Sequence, residues 1–166
     1  FHIPETQHED YYALNMLASI LGEGQSSRLY RSLIEREQLA TSVFTYMPQS
    51  FDPNLFYIYA NASNGIQASV LEKAIIDDVN TIMLSGVDEK ELTKIKNIAQ
   101  VNFYRTLSTI NGKANTLGTY ALFFDDYAKM FSAVEDMNKV TVDDIKRVAN
   151  KYLNKANRTV GILALF

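Results

Sequence analysis

Residues 21–40, LGEGQSSRLYRSLIEREQLA, decide how the rest of the chain is read. Two glycines, Gly22 and Gly24, separate one apolar helical run from a second, and Ser26, Ser27 and Arg28 follow at once. A loop of this kind either cradles a phosphate with the free amides of a helix N-terminus or turns one helix into the next. The dinucleotide fingerprint follows a strand, whereas this loop follows a helix. There is no Gly-Lys-Ser/Thr, and Glu23 would repel a phosphate. The stretch therefore reads as a helix–loop–helix corner. Arg28 falls in the first turn of the second helix, where a positive charge opposes the helix dipole. That placement favours tying it to a carboxylate or to loop carbonyls, with a substrate-facing role as the lesser reading.

Upstream, Phe1–Ile3 reads as the tail of a strand stopped by Pro4. Tyr12, Ala13, Met16, Leu17, Ile20 and Leu21 recur at spacings of three and four, which predicts one apolar face of a helix. Gly22 is expected to end it in the left-handed conformation, and Ser26 or Ser27 to cap the next helix. That helix buries Leu29, Tyr30, Leu33 and Ile34. Downstream, TSVFTYMP (41–48) and LFYIYANA (55–62) are rich in β-branched and aromatic residues and predict two strands. The link between them suits an antiparallel hairpin. Asn64-Gly65 turns the chain into a helix over Gln67–Leu84, stopped by Ser85-Gly86.

Asp88 with Glu91 forms the pattern of a capping box at the start of a long helix. Asn111-Gly112 is expected to break or kink it, with more helix over 113–124 and a short helix after Asp125-Asp126. Thr141 with Asp144 opens the last helix, and Val160–Leu165 reads as a closing strand. Strands and helices in runs predict an α+β fold. The expectation is an antiparallel four-stranded sheet with a helical layer on one face, in the split β-α-β order of ferredoxin-like folds.

The chain has 166 residues, enough for one domain with one core. Both ends read as cut edges of a longer protein, so a missing leader is uninformative. Exported or periplasmic and cytoplasmic settings are equally compatible. With 47% apolar and 21% charged residues and a net charge of −3, its Lys and Arg scattered, it lacks the basic stripe of a nucleic-acid surface. No apolar run approaches the roughly 20 residues of a membrane span. Cysteine is absent, which removes disulfides and thiolate zinc sites.

Nothing in the residues themselves makes a catalytic set. His2 and His8, the two histidines, stand six apart across Pro4, unlike the helical His-x-x-x-His pair that holds zinc. Asp77-Asp78, Asp125-Asp126 and Asp143-Asp144 are adjacent pairs, and adjacent side chains do not face one another on a helix. No Gly-x-Ser-x-Gly elbow occurs. Most Tyr and Phe fall on apolar faces and read as core.

Taken in order, HIPETQHEDYYALNMLASILG, GEGQSSRLYRSLIEREQLATSV, VDEKELTKIKN, VTVDDIKRVANKYL and NRTVGIL resemble the C-terminal half-domain of the pitrilysin/insulinase family of zinc metallopeptidases, which includes the mitochondrial processing peptidase. The resemblance covers nearly the whole chain. It implies a sheet-and-helix half-domain that pairs with other half-domains of the same peptidase, or of a homologous subunit, to enclose a chamber that receives the peptide substrate. The family's His-x-x-Glu-His zinc motif belongs to another domain and is absent here, so the resemblance implies no cofactor in this segment and zinc elsewhere in the parent protein. In some relatives an Arg and a Tyr from such a half-domain reach the substrate. Aligned on Glu37-Gln38-Leu39, those positions hold Ile34 and Thr41, and neither stabilises an oxyanion as Arg or Tyr would. The resulting expectation is a non-catalytic supporting half-domain, with Gly22, Gly24, Ser26, Ser27 and Arg28 as a structural or substrate-facing loop. The alternatives are an inactive homologue serving as an assembly or peptide-binding subunit, and a phosphate or nucleotide binder at Gly22–Arg28.

Overall fold

The alternation in TSVFTY and YIYANA builds a hairpin. In the computed structural model, which describes residues 1–163, β2 (Ala40–Tyr46) and β4 (Tyr57–Ala62) pair antiparallel, with Phe44 opposite Tyr59 and Tyr46 opposite Tyr57. β1 (His2–Ile3) pairs antiparallel with β3 (Asn54–Leu55). Between β3 and β4, the Phe56 amide donates to Phe1 O at 2.7 Å, and the Phe1 amino group donates to Phe56 O at 2.9 Å. Residues 54–62 therefore run as one extended strand, served by β1 at one end and β2 at the other.

The fold is α+β, with two small two-stranded sheets in place of the expected four-stranded one. The reason lies in two segments. β1, His2–Ile3, pairs with β3 and with no other strand among the described residues. Of the closing strand expected at Val160–Leu165, residues 160–163 form no ladder among the described residues, and the rest lie outside them.

Helix α1 (Tyr11–Gly22) is the axis of the core. Its sequence predicts one apolar face, but Ala13, Leu14, Met16, Leu17, Ala18, Ile20 and Leu21 are all buried. It is enclosed because β2 packs on one side while α3 (Glu89–Leu107) and α6 (Val142–Tyr152) pack on others. Phe56, Leu29, Leu33, Ile82, Ile145 and Val148 complete this core. α2 (Ala68–Ser85), also against α6, closes it. A smaller apolar cluster of Tyr120, Phe124, Met130 and Ala133 joins α4 (Ile110–Phe124) to α5 (Lys129–Lys139).

Some helix ends follow their caps and others depart from them. Thr141 and Asp144 make the full reciprocal box at α6. At α3 the Asp88 carboxylate accepts from the Glu91 amide, but the Glu91 side chain turns away to another partner. The break expected at Asn111-Gly112 falls earlier, at Ser108-Thr109, where Thr109 accepts from the Gly112 amide and starts α4. The segment Tyr30–Arg36, expected as an ordinary helix, is wound as a π-helix. The Glu37 amide reaches back five residues to Ser32 O at 2.9 Å. Such wide turns are rare and gather at sites with a special packing demand.

Candidate functional site

The glycine loop joins α1 to the π-helix at the edge of the hairpin. Gly22 does not take the left-handed conformation; it is the last residue of α1 and is buried. Close approach explains it. A Cβ at Gly22 would lie 2.6 Å from the Thr45 amide nitrogen and 2.7 Å from Thr45 Cγ2. Thr45 Oγ1 meanwhile donates to Ala18 O at 2.7 Å, which fixes α1 against β2. The left-handed position falls two residues later, at the exposed Gly24, φ 75°.

Neither serine caps the next helix. Ser27 is buried, and its hydroxyl donates to Gly24 O at 2.8 Å, closing the loop on itself. The exposed Ser26 hydroxyl accepts from Lys94 of α3. Arg28 spans the corner. Its Nε donates to Glu91 Oε1 at 2.9 Å, its Nη2 to Glu91 Oε2 at 2.6 Å, and Nη2 also to Gly86 O at 3.3 Å. This is where the Glu91 carboxylate goes instead of back to its own helix cap. The paired carboxylate holds the Arg28 guanidinium above its ordinary range against the opposing effect of burial. A forked, half-buried pair of this type is worth more than an exposed one. Replacing Arg28 or Glu91 with Ala is expected to cost about 1–2 kcal/mol each. The double variant should lose little beyond either single one, a non-additivity read from urea unfolding of all four proteins.

Beside the corner, Arg36 Nη2 donates to Ser32 Oγ at 2.7 Å and to Glu37 Oε1 at 2.8 Å. Asp78 of α2 faces the same group. Burial pushes its carboxyl up, partly offset by Ser32 and Arg36, and its Oδ2 has no hydrogen-bond partner among the described residues.

A second polar centre has no counterpart in the sequence reading. Asp10 is fully buried. It precedes α1 as a cap would, yet its side chain caps nothing there. It accepts instead from three residues of α6: Arg147 Nη1, Lys151 Nζ at 2.9 Å and the Tyr152 hydroxyl at 2.7 Å. Burial raises its pKa, but the hydrogen bonds from Lys151, Tyr152 and Arg147 outweigh that and bring it down to about 2. The available signal was on α6, where Arg147 and Lys151 stand four apart on one face, a like-charged pair that a nearby anion relieves. Nearby, Tyr12 and Tyr120 share a hydroxyl contact at 3.3 Å, and burial raises the pKa of both phenols.

The hairpin carries a third feature. Val43, Ile58 and Ala60 turn inward to the core. The alternate residues turn outward, where no helix among the described residues covers them. Phe44 stacks on Tyr59 at 4.9 Å, Tyr59 on Tyr57 at 5.5 Å, and Tyr57 on Tyr46 at 6.2 Å. Phe44, Tyr46 and Tyr59 are each about half exposed. These aromatics, read from sequence as core, form a ladder on the bare face of the sheet.

The chain's own donors do not fit a zinc ion. Among the described residues no three His, Cys, Asp or Glu side chains come together to hold a metal. His8 is occupied locally, its Nδ1 accepting from the Asp10 amide at 3.0 Å, and His2 is exposed on β1. Ile34 packs half-buried against the core, and Thr41 is exposed with its hydroxyl donating to Asn61 O at 3.4 Å. No helix is long and apolar enough to cross a membrane among the described residues.

Comparison with known proteins places this arrangement. The family described as the peptidase M16 inactive domain matches residues 1–99. The zinc protease PqqE of Helicobacter pylori is 27% identical over 168 residues, covering 98% of this chain and 36% of its own length. The crystal structure of a protease from Helicobacter pylori superposes with a TM-score of 0.88 at 28% identity, over 94% of this chain and 37% of that one. A peptidase M16 inactive domain from Pseudomonas fluorescens shares the fold, with a TM-score of 0.78 at 21% identity over 91% of this chain and 36% of that chain. The chain thus spans about a third of the length of the curated relatives it matches.

Proposed function

The chain belongs to the peptidase M16 inactive domain family, and from that membership we propose that it is a non-catalytic supporting half-domain of a zinc metalloendopeptidase, one part of a longer polypeptide. It forms part of the chamber wall and the interface with other half-domains, while another domain holds zinc and hydrolyses the peptide. The observation that carries this reading is the bare aromatic face. Helices enclose the inward side of the hairpin, while the outward side presents four stacked rings to solvent. Rigid, half-exposed aromatics supply contact area at small entropic cost, which suits a surface built to meet another polypeptide. The Gly22–Arg28 corner serves as a brace in this scheme: Arg28 locks the loop to α3, and Ser27 closes it on Gly24.

The test uses the chain alone and the parent protein. Alone, with zinc and a fluorogenic peptide, the chain is expected to bind no stoichiometric zinc and to cleave nothing. In the parent, Tyr59→Ala with Phe44→Ala is expected to reduce kcat/KM by about tenfold while the fold is kept, since removing interface aromatics typically costs 1–2 kcal/mol or more. Cleavage by the isolated chain would overturn the reading.

A further inference from the structure

The chain contains two Asn-Gly pairs, Asn64-Gly65 and Asn111-Gly112, and the fold treats them oppositely. Glycine after asparagine leaves the next backbone nitrogen open to approach, because no side chain shields it. Asn64 and Gly65 form the tip of the turn between β4 and α2, and both are exposed. The Ile66 amide closes the turn beneath them by donating to Ser63 O at 3.0 Å. Gly65 has the positive φ, 81°, that a type II turn places at its third position. Its amide has no acceptor among the described residues, and a Cβ placed on it would meet nothing within 4 Å. The space over this turn is therefore open. Asn111-Gly112 lies instead in the first turn of α4. There the Gly112 amide donates to the Thr109 hydroxyl at 3.0 Å, and a Cβ on Gly112 would collide with Thr106 O.

We propose that Asn64 is a site of spontaneous covalent modification, that α4 protects Asn111 from the same chemistry, and that the modified turn loosens the junction of β4 with α2. The Gly65 nitrogen, its proton lost to a solvent base, attacks Asn64 Cγ. The N–Cγ bond forms, the Cγ–Nδ2 bond breaks, and Nδ2 takes up a proton from solvent and leaves as ammonia. The product is a cyclic succinimide, which water then opens. Attack of water at Cγ gives aspartate. Attack at the main-chain carbonyl carbon gives isoaspartate, in which the chain runs through Cβ. Ring closure needs a free nitrogen and rotation about the asparagine ψ. The exposed turn offers both, whereas in α4 the nitrogen is engaged by Thr109 and ψ is held at its helical value. The two products act differently. Aspartate adds a negative charge just ahead of α2, whose first turn has no acid, so the charge is tolerated there. Isoaspartate adds a backbone atom between two anchored residues. The Ser63 amide donates to Leu39 O at 2.9 Å, and Ile66 packs against the core. A longer main chain between these points cannot keep both anchors in place.

The test incubates the chain in mildly alkaline buffer, folded and in concentrated urea, and follows both asparagines by peptide mapping and mass spectrometry. In the folded chain Asn64 is expected to convert roughly tenfold or more faster than Asn111, because the helical site must first open. Isoaspartate at position 64 is the signature of the ring. In urea the two sites are expected to react at similar rates. No conversion at Asn64, conversion to aspartate alone, or equal rates at the two sites in the folded chain each overturns the proposal. The melting temperature reads the consequence. The aged chain is expected to melt about 2–4 °C below freshly prepared Asn64→Asp. Asn64→Gln, which closes the ring far more slowly, is expected to keep its Tm through the same incubation. An aged chain that melts with Asn64→Asp, or an Asn64→Gln chain that loses Tm as the wild type does, overturns the loosening of the junction.

Discussion

Asp10→Ala is expected to lower the unfolding free energy by about 2–4 kcal/mol, with a fall in Tm of roughly 5–12 °C for a chain of this size. The carboxylate is fully buried and is the common acceptor for Arg147, Lys151 and Tyr152. Removing it separates α6 from the start of α1 electrostatically and leaves the buried Tyr152 hydroxyl without its partner. Arg147 and Lys151 are about half exposed and regain water, which keeps the loss below that of a sealed ion pair. The pH dependence has a fixed sign. Asp10 has a folded pKa of about 2 against an ordinary 3.8. A depressed acid stabilises the fold above its unfolded value and loses that contribution as pH falls through the folded value. The interval corresponds to roughly 2 kcal/mol. Urea midpoints of wild type and Asp10→Ala should therefore stand apart at pH 7 and converge between about pH 4 and pH 2. Parallel midpoints throughout that range would show that the charge is not what holds the two helices.

Gly22→Ala and Gly22→Val are expected to destabilise by about 1–3 kcal/mol and by more than 3 kcal/mol respectively. Propensity alone gives the opposite sign, because alanine in a helix interior is favoured over glycine by about 1 kcal/mol. Space decides. The added Cβ would meet the backbone nitrogen and both side-chain branches of Thr45 within 2.8 Å, and a backbone atom in a paired strand cannot retreat as a flexible side chain can. Gly118 of α4 is the control, since a Cβ there meets nothing within 4 Å. Gly118→Ala is expected to stabilise by about 0.5–1 kcal/mol. Chemical unfolding of the three variants reads the reversal directly. Equal signs at both glycines would mean that α1 and β2 can separate at little cost.

Local rules carried the sequence reading a long way. Spacing at three and four located α1, α2 and α3, and the Thr141–Asp144 box placed the start of α6 correctly. Alternation identified β2 and β4. Three of the failures share a cause, since each depends on residues far apart in the chain. Glu91 fits a cap locally but is drawn off by Arg28, 63 positions away. Asp10 drew no reading from the sequence, because its partners lie more than 130 positions on. Gly22 looks like a helix terminator, whereas the need for glycine comes from a strand that packs across it. The π-helix is invisible to periodicity because seven residues cannot distinguish 3.6 from a wider turn. At the candidate site, the sequence placed a loop at Gly22–Arg28 and expected Arg28 to be tied to a carboxylate or to loop carbonyls, and which carboxylate, Glu91, required the fold. The aromatic ladder was assigned to the core because alternation marks two faces of a strand without marking which one is covered.

The aromatic ladder also gives the protein an intrinsic optical probe. The chain contains no tryptophan and ten tyrosines, three of which, Tyr46, Tyr57 and Tyr59, belong to the stack. Near-ultraviolet emission is therefore tyrosine emission, undimmed by transfer to indole, and three of its ten sources lie on the bare sheet face. Whatever docks there changes the polarity around those phenols and registers in the fluorescence of the unlabelled chain.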